Sequence, residues 1–148
     1  MIALIQRVTE ASVVIDGSVF SSINKGLLVL VGMELKDSET SVLQLSKKIL
    51  GLRVFDDSSG LMNLSVIDIK GEILIVPNFT LAADTSRGNR PGFSTALKPV
   101  LAKPLFDSLY NNTKKQLDST KRGEFGADMK VSLVNDGPIT ISLKTNNP

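Results

Sequence analysis

The sequence predicts an α+β fold: a curled, largely antiparallel, barrel-like β-sheet with two helices, in a single domain covering residues 1–148. Three observations predict it. Short apolar runs of strand length recur along the chain, separated by Gly, Asn and Asp. Only two stretches repeat apolar residues at helical spacing. No repeat, linker or low-complexity segment divides the chain, and so many strands with so few helices favour a sheet that curls on itself.

The elements follow in order. Ile2 to Val8 and Ala11 to Ile15 read as two strands, and Asp16-Gly17 is a hairpin turn signal before a third at Val19 to Ile23. Leu27 to Val31 is a continuous apolar run, the pattern of a strand buried on both faces. Asp37 or Ser38 can cap a helix whose apolar positions are Val42, Leu45, Ile49 and Leu52. Leu52 to Phe55 returns to strand, Asp56 to Gly60 is a polar turn, and Leu61 to Val66 forms a short strand. Glu72 to Phe79 is the next strand, followed by a long polar loop over 82–97. The spacing predicts a second helix over Pro99 to Asp118, with Leu101, Leu105, Leu109 and Leu117 on one face. Pro104 suits a first turn better than an interior, which moves the expected start toward Lys103. Met129 to Leu133 and Ile139 to Leu143 read as a closing hairpin.

Composition removes whole classes of chemistry. There is no cysteine and no histidine, so Ser-His-Asp and Cys-His machinery and the usual zinc ligands are absent from this chain. Any general base is a carboxylate, a lysine, a backbone group or part of the substrate. No metal signature and no cofactor is expected. With no tryptophan and one tyrosine, an aromatic-rich stacking surface is not expected. No apolar run approaches a membrane span, and the first residues read as a strand, so the expected setting is soluble and cytoplasmic. The net charge of +2 is uneven. Between Thr85 and Arg122, eight basic residues face only Asp107 and Asp118. Such a region either meets a phosphate backbone or is a solvated helix face with a charged loop.

Three places are candidates for chemistry. Pro77-Asn78 interrupts a well-formed strand and frees backbone N–H groups near Phe79 and Thr80, where Thr80 also offers a hydroxyl. The alternative is a strand end with a capped loop, and as a nucleophile Thr80 lacks an evident partner. Arg7 is the only charge from Met1 to Thr9, either facing solvent or held inward by a carbonyl or carboxylate. Asp56-Asp57 is most simply a turn. Gly137-Pro138 is odd in a hairpin, because proline removes a donor that the returning strand could use.

Five segments, in order, carry a resemblance: MIALIQRVTEASV, GLLVLVG, RVFDDSSGLMNLSV, NFTLAADTSRGNRPGF and FGADMKVSLVNDGPIT. The chain resembles, end to end, D-aminoacyl-tRNA deacylase (D-tyrosyl-tRNA deacylase) of the bacterial and eukaryotic type. The FTLAADT…G.RP.F and NDGPIT blocks are the specific ones. The resemblance implies a homodimer with its active site at the subunit junction, acting on D-aminoacyl-tRNA. It implies a cis peptide at Gly137-Pro138, inserted into the partner's pocket, whose carbonyls reject an L side chain and admit a D-residue or glycine. Arg7 is implied to hold that motif. The family's Ser-Gln-Phe-Thr-Leu motif, with proline known for the serine, falls on Pro77-Asn78-Phe79-Thr80-Leu81, so Asn78 is a departure by one methylene. Phe125, Gly126, Ala127 and Met129 resemble the wall for the terminal adenine, with Gly126 standing where alanine is common. Gly92 similarly stands where serine is common. The implied catalysis is RNA-assisted, with Thr80 a binding group and the 85–122 region on acceptor-stem phosphates. The rival expectations are a non-catalytic nucleic-acid-binding module and a deacylase fold that has lost activity and serves as an interaction subunit.

Overall fold

The computed structural model describes residues 1–145. The strands are β1 (Ile2–Ile15), β2 (Ser18–Ile23), β3 (Gly26–Gly32), β4 (Phe55–Asp56), β5 (Met62–Leu64), β6 (Glu72–Pro77), β7 (Thr120–Arg122) and β8 (Lys130–Lys144), and the helices are α1 (Glu39–Gly51) and α2 (Pro99–Gln116). β1 is one strand of 14 residues, not the expected two. Its ladder to β8 passes from Val8 to Glu10 through a bulge, so exposed Thr9 bends the strand without ending it. Ile15 pairs with Ser18 across a two-residue turn. Both turn residues, Asp16 and Gly17, have positive φ, the geometry an Asp-Gly hairpin turn requires.

The main sheet runs β2-β1-β3-β6-β7, with β8 on the other edge of β1. It is mixed, which corrects the largely antiparallel expectation: β3 and β6 are parallel, as are β6 and β7. Parallel neighbours need a crossover. α1 lies in the β3-to-β6 connection and α2 in the β6-to-β7 connection, so each helix serves as one. The sheet curls until β7 returns beside β2. Ser21 donates its hydroxyl to the Arg122 carbonyl (2.8 Å), and Lys121 donates its ammonium to the Ser22 carbonyl (2.7 Å). Side chains bridge this seam, and the barrel is nearly closed.

The middle strands are buried on both faces. Leu27, Val29 and Val31 of β3, with Ile73 and Ile75 of β6, pack against Leu45 and Ile49 of α1 and Phe106 and Leu109 of α2. The alternate residues Leu28, Leu74 and Val76 join Val8, Val13 and Ile23 inside the curl. That two-sided burial is why β3 and β6 are continuous apolar runs.

α2 begins at Pro99, with Pro104 in its interior, so the later start is corrected. The carbonyl left without its helical donor is that of Val100, on the exposed side. The expected face is also adjusted. Ala102, Phe106, Leu109 and Thr113 are the buried positions, Leu105 and Leu117 are partly buried, and Leu101 points outward. Thr113 meets Ser46 of α1 at 3.2 Å in a buried hydroxyl pair. No helix among the described residues is long and apolar enough to cross a membrane.

Asp107 ties α2 to β7. Its carboxylate meets the Lys103 ammonium and the Arg122 guanidinium, each at 2.9 Å. Burial pushes its pKa up, but hydrogen bonds and charge from Lys103 and Arg122 outweigh that and hold it below the ordinary carboxylate value. A depressed folded-state pKa contributes stability above the unfolded value, near 4, and loses it as pH falls through the folded one. Asp107→Asn is therefore expected to flatten the acid limb of the stability profile below about pH 4, read by urea unfolding at stepped pH. An unchanged acid limb would contradict it.

Candidate active site

The closing segment is not a hairpin. Both halves of β8 pair with β1: Lys130 to Asn135 lie against Val14 to Val8, and Thr140 to Lys144 against Gln6 to Ile2. Between Asn135 and Thr140 the strand throws out residues 136–139 opposite the single residue Arg7. A proline costs nothing in such a bulge, because its missing N–H has no ladder partner there. Asn135 closes the neck: its amide donates to the Arg7 carbonyl (3.0 Å) and the Ile139 carbonyl (2.9 Å), and its oxygen accepts from the Thr140 hydroxyl (3.1 Å).

The Gly137-Pro138 peptide is cis, and both residues are exposed. Gly137 has φ +122°, a region for glycine. Beneath the bulge, the side chain of Arg7 is almost fully buried. Its guanidinium donates to the carbonyls of Val54 (2.8 Å) and Asp136 (3.3 Å). The Asp136 carboxylate lies 3.2 Å away and that of Asp56 3.5 Å. Of the two readings of Arg7, the inward one holds, with both carbonyl and carboxylate partners.

The second centre follows β6. The Asn78 N–H still donates to the Val31 carbonyl of β3 (2.7 Å), and the chain then winds into a single helical turn, Phe79–Ala82. The first N–H groups of such a turn have no partner within it. Among the described residues, none accepts from the N–H of Phe79 or Thr80. The Thr80 hydroxyl donates to Asn78 Oδ1 at 2.5 Å. Phe79 is 58% exposed and stands edge-on to Phe93, with ring centroids 5.1 Å apart.

The loop beyond is an arm closed by reciprocal backbone bonds between Asp84 and Gly92 (2.7 and 2.9 Å). Hydrogen bonds from the Ser86 hydroxyl and N–H hold the Asp84 carboxyl below its ordinary pKa. Arg87 and Arg90 are exposed on the arm without a partner among the described residues.

β7, a strand the sequence did not signal, leads to the third group. The Gly123 N–H donates to the Ile75 carbonyl (2.8 Å), beside Met129 and Pro77. Phe125 is half-buried against Phe106 (6.1 Å between centroids), exposed Gly126 takes φ +81°, and the Ala127 N–H donates to Glu124 (3.3 Å). Pro77 and Met129 are thus neighbours, and the Phe79 turn follows directly on. No three Asp or Glu side chains among the described residues gather as a metal site would require.

Gly137-Pro138 is not part of this grouping within one chain. Arg7 pairs with Leu27, which pairs with Ile73; Phe79 lies six residues further along, roughly 20 Å at 3.3 Å per residue. Sequence reasoning missed Asn135, the Val54 carbonyl and Phe93. Asn135 and Phe93 stood inside the two specific blocks, but a carbonyl leaves no mark in sequence.

An exposed, aromatic-flanked turn with free N–H groups can hold a carbonyl or anionic oxygen. Comparison with known proteins gives the family. The family model described as D-Tyr-tRNA(Tyr) deacylase matches residues 4–144. A D-aminoacyl-tRNA deacylase from Porphyromonas gingivalis is 51% identical over 148 residues, covering 99% of both chains. A solved structure titled c-Myc DNA Unwinding Element Binding Protein superposes with TM-score 0.94 at 40% identity, covering 99% of both chains. A second, titled as a probable eukaryotic D-amino acid tRNA deacylase, has TM-score 0.84 at 12% identity over 96% of this chain and 97% of its own, and shares the fold. The chain belongs to the D-aminoacyl-tRNA deacylase family, ester hydrolases of aminoacyl-tRNA.

Proposed function

We propose that the whole chain works as one domain of a cytoplasmic homodimer that hydrolyses D-aminoacyl-tRNA and glycine mischarged on tRNA for alanine, sparing L-aminoacyl-tRNA. The observation that carries this reading is the bulge at 136–139, held from below by Arg7 and closed by Asn135. It offers the Gly137 and Pro138 backbone to a partner rather than to its own chain. The roughly 20 Å between it and Phe79 supports a pocket completed by a second subunit.

In that pocket the partner's bulge faces the amino acid's α-carbon. Carbonyl oxygens placed there exclude an L side chain and leave room for hydrogen. The wall of Phe125, Gly126, Ala127 and Met129 takes the terminal adenine. The N–H groups of Phe79 and Thr80 stabilise the oxyanion as water adds to the ester carbonyl carbon. The bond to the ribose oxygen then breaks, and that oxygen takes the proton. The neighbouring ribose hydroxyl of the substrate orients the water, so no protein base is required. Asn78 is one methylene short of glutamine, and its oxygen is engaged by Thr80.

The test is deacylation of D-Tyr-tRNA, L-Tyr-tRNA and Gly-tRNA side by side. Rapid loss of the D and glycyl esters with the L ester intact is expected. No hydrolysis above buffer would favour the interaction subunit. Thr80→Val is expected to lower kcat/KM by less than about tenfold, the scale of one hydrogen bond. A loss on the order of a thousandfold would make Thr80 a nucleophile instead.

A further inference from the structure

A cleft of about 420 Å³ opens at the seam between β2, β7 and the C-terminal half of α2. Its size suits a specific ligand. Lys114, Lys121 and Arg122 line it, with the rings of Phe20 and Tyr110, and no carboxylate is in the lining. Each cation has a carboxylate within 4.0 Å, but the two lysines make their shorter contacts to carbonyls. Lys114 donates to the carbonyls of Asp118 (2.7 Å) and Thr120 (3.4 Å), and Lys121 to that of Ser22 (2.7 Å). The carboxylates of Asp118 and Glu72 stand further off, at 3.7 and 4.0 Å. Arg122 is paired with Asp107, and its guanidinium lies over the Tyr110 ring, 5.1 Å from the centroid. Phe20 is 46% exposed although it belongs to a strand of the sheet. Three cationic side chains in one lining, beside a half-exposed aromatic ring, are equipment for a nucleotide: phosphate on the cations, base on the ring.

We propose that this cleft is a second nucleic-acid site, which takes a phosphodiester and base of the same tRNA whose aminoacyl end occupies the Phe79 turn; it rests on the reading given above. Its place supports that assignment. Arg122 is level with Ile75, four residues before Phe79, roughly 13 Å along the strands. That is about the length of four stacked nucleotides at 3.4 Å each. The chain also runs directly from Arg122 into the loop that carries Phe125.

The probe is uncharged tRNA, titrated against the protein over a range of salt concentrations. Lys114→Gln/Lys121→Gln is expected to weaken binding and make the dependence of log affinity on log salt shallower by about 1.5. In turnover it raises KM and leaves kcat unchanged. Phe20→Ser, which removes a ring and no charge, is expected to weaken binding with the salt slope unaltered. Thermal midpoints confirm that each variant is folded. An unchanged slope in a folded double variant overturns the proposal. So does displacement of the tRNA by millimolar inorganic phosphate as effectively as by an oligonucleotide, which would mark a small-anion site. If the slope shifts while no D-aminoacyl ester is hydrolysed, the cleft stands and the proposed deacylation falls. If hydrolysis is intact and the slope is unmoved, the cleft alone falls.

Discussion

Gly137→Ala is expected to fold and to lose its preference for the D-aminoacyl ester. Two effects act together. At φ +122° an L-residue is strained, at a cost of about 1–3 kcal/mol. A Cβ there would also meet Ile139 Cγ1 at 2.9 Å, the Ile139 nitrogen at 3.1 Å and Arg7 Nη2 at 3.3 Å. The side-chain atoms can move; the Ile139 backbone cannot move without opening the neck that Asn135 holds. The bulge therefore shifts as a unit, and its carbonyls leave the positions from which the proposed reading has them exclude an L side chain. A total destabilisation of about 2 kcal/mol leaves most single domains folded at 25 °C. Discrimination between D-Tyr-tRNA and L-Tyr-tRNA should fall by about tenfold or more, since 1.4 kcal/mol at the transition state is a factor of ten. Unchanged discrimination in a folded variant would mean that chirality is read elsewhere.

Much of this was legible in the sequence, and what was not has physical reasons. The Asp-Gly turn, the central run at Leu27 and the first helix read correctly, because local chemistry and burial agree there. The last strand misled because alternating residues with a turn-like centre serve a hairpin and an interrupted strand equally well. Only the partner decides, and β1 is long enough to hold both halves. β7 is three residues, Thr120-Lys121-Arg122, with no apolar signal; it forms because the β6 edge and α2 place it. The mixed sheet was available in the order of elements, since a helix between two strands is a crossover in waiting.

The candidate site was legible as residues and not as an arrangement. Asn78, Phe79 and Thr80 stand out because a proline ends a strong strand there. Arg7 stands out as a lone charge in an apolar strand, which also requires partners when buried. Nothing in sequence chemistry says that Arg7 and Gly137 adjoin, or that both lie far from Phe79. Those facts come from the register of β1 against β3 and β8, set by the pairing of whole strands.

Arg7→Gln should therefore disable hydrolysis without touching a reacting atom. The guanidinium is buried among two carbonyls and two carboxylates, drawn from β8 on one side and from Val54 and Asp56 on the other. Glutamine can replace one of these contacts. The others lose their donor, and the Asp136 carboxylate loses its cation beside the bulge. The two carboxylates are 41% and 55% exposed and can be rehydrated, so the cost is that of the carbonyls left unpaired, about 1–3 kcal/mol. Arg7→Lys keeps the charge, but a compact ammonium cannot span the fork between Val54 and Asp136, so little rescue is expected. Both variants should lower D-Tyr-tRNA deacylation by about a hundredfold, the scale of an ångström's misplacement at a reacting centre. If Arg7 acts only by positioning, tRNA binding at the cleft should be unchanged in the same samples. Full activity in Arg7→Gln, at an unchanged unfolding midpoint, would show that the bulge holds its shape without the guanidinium and would remove Arg7 from the mechanism.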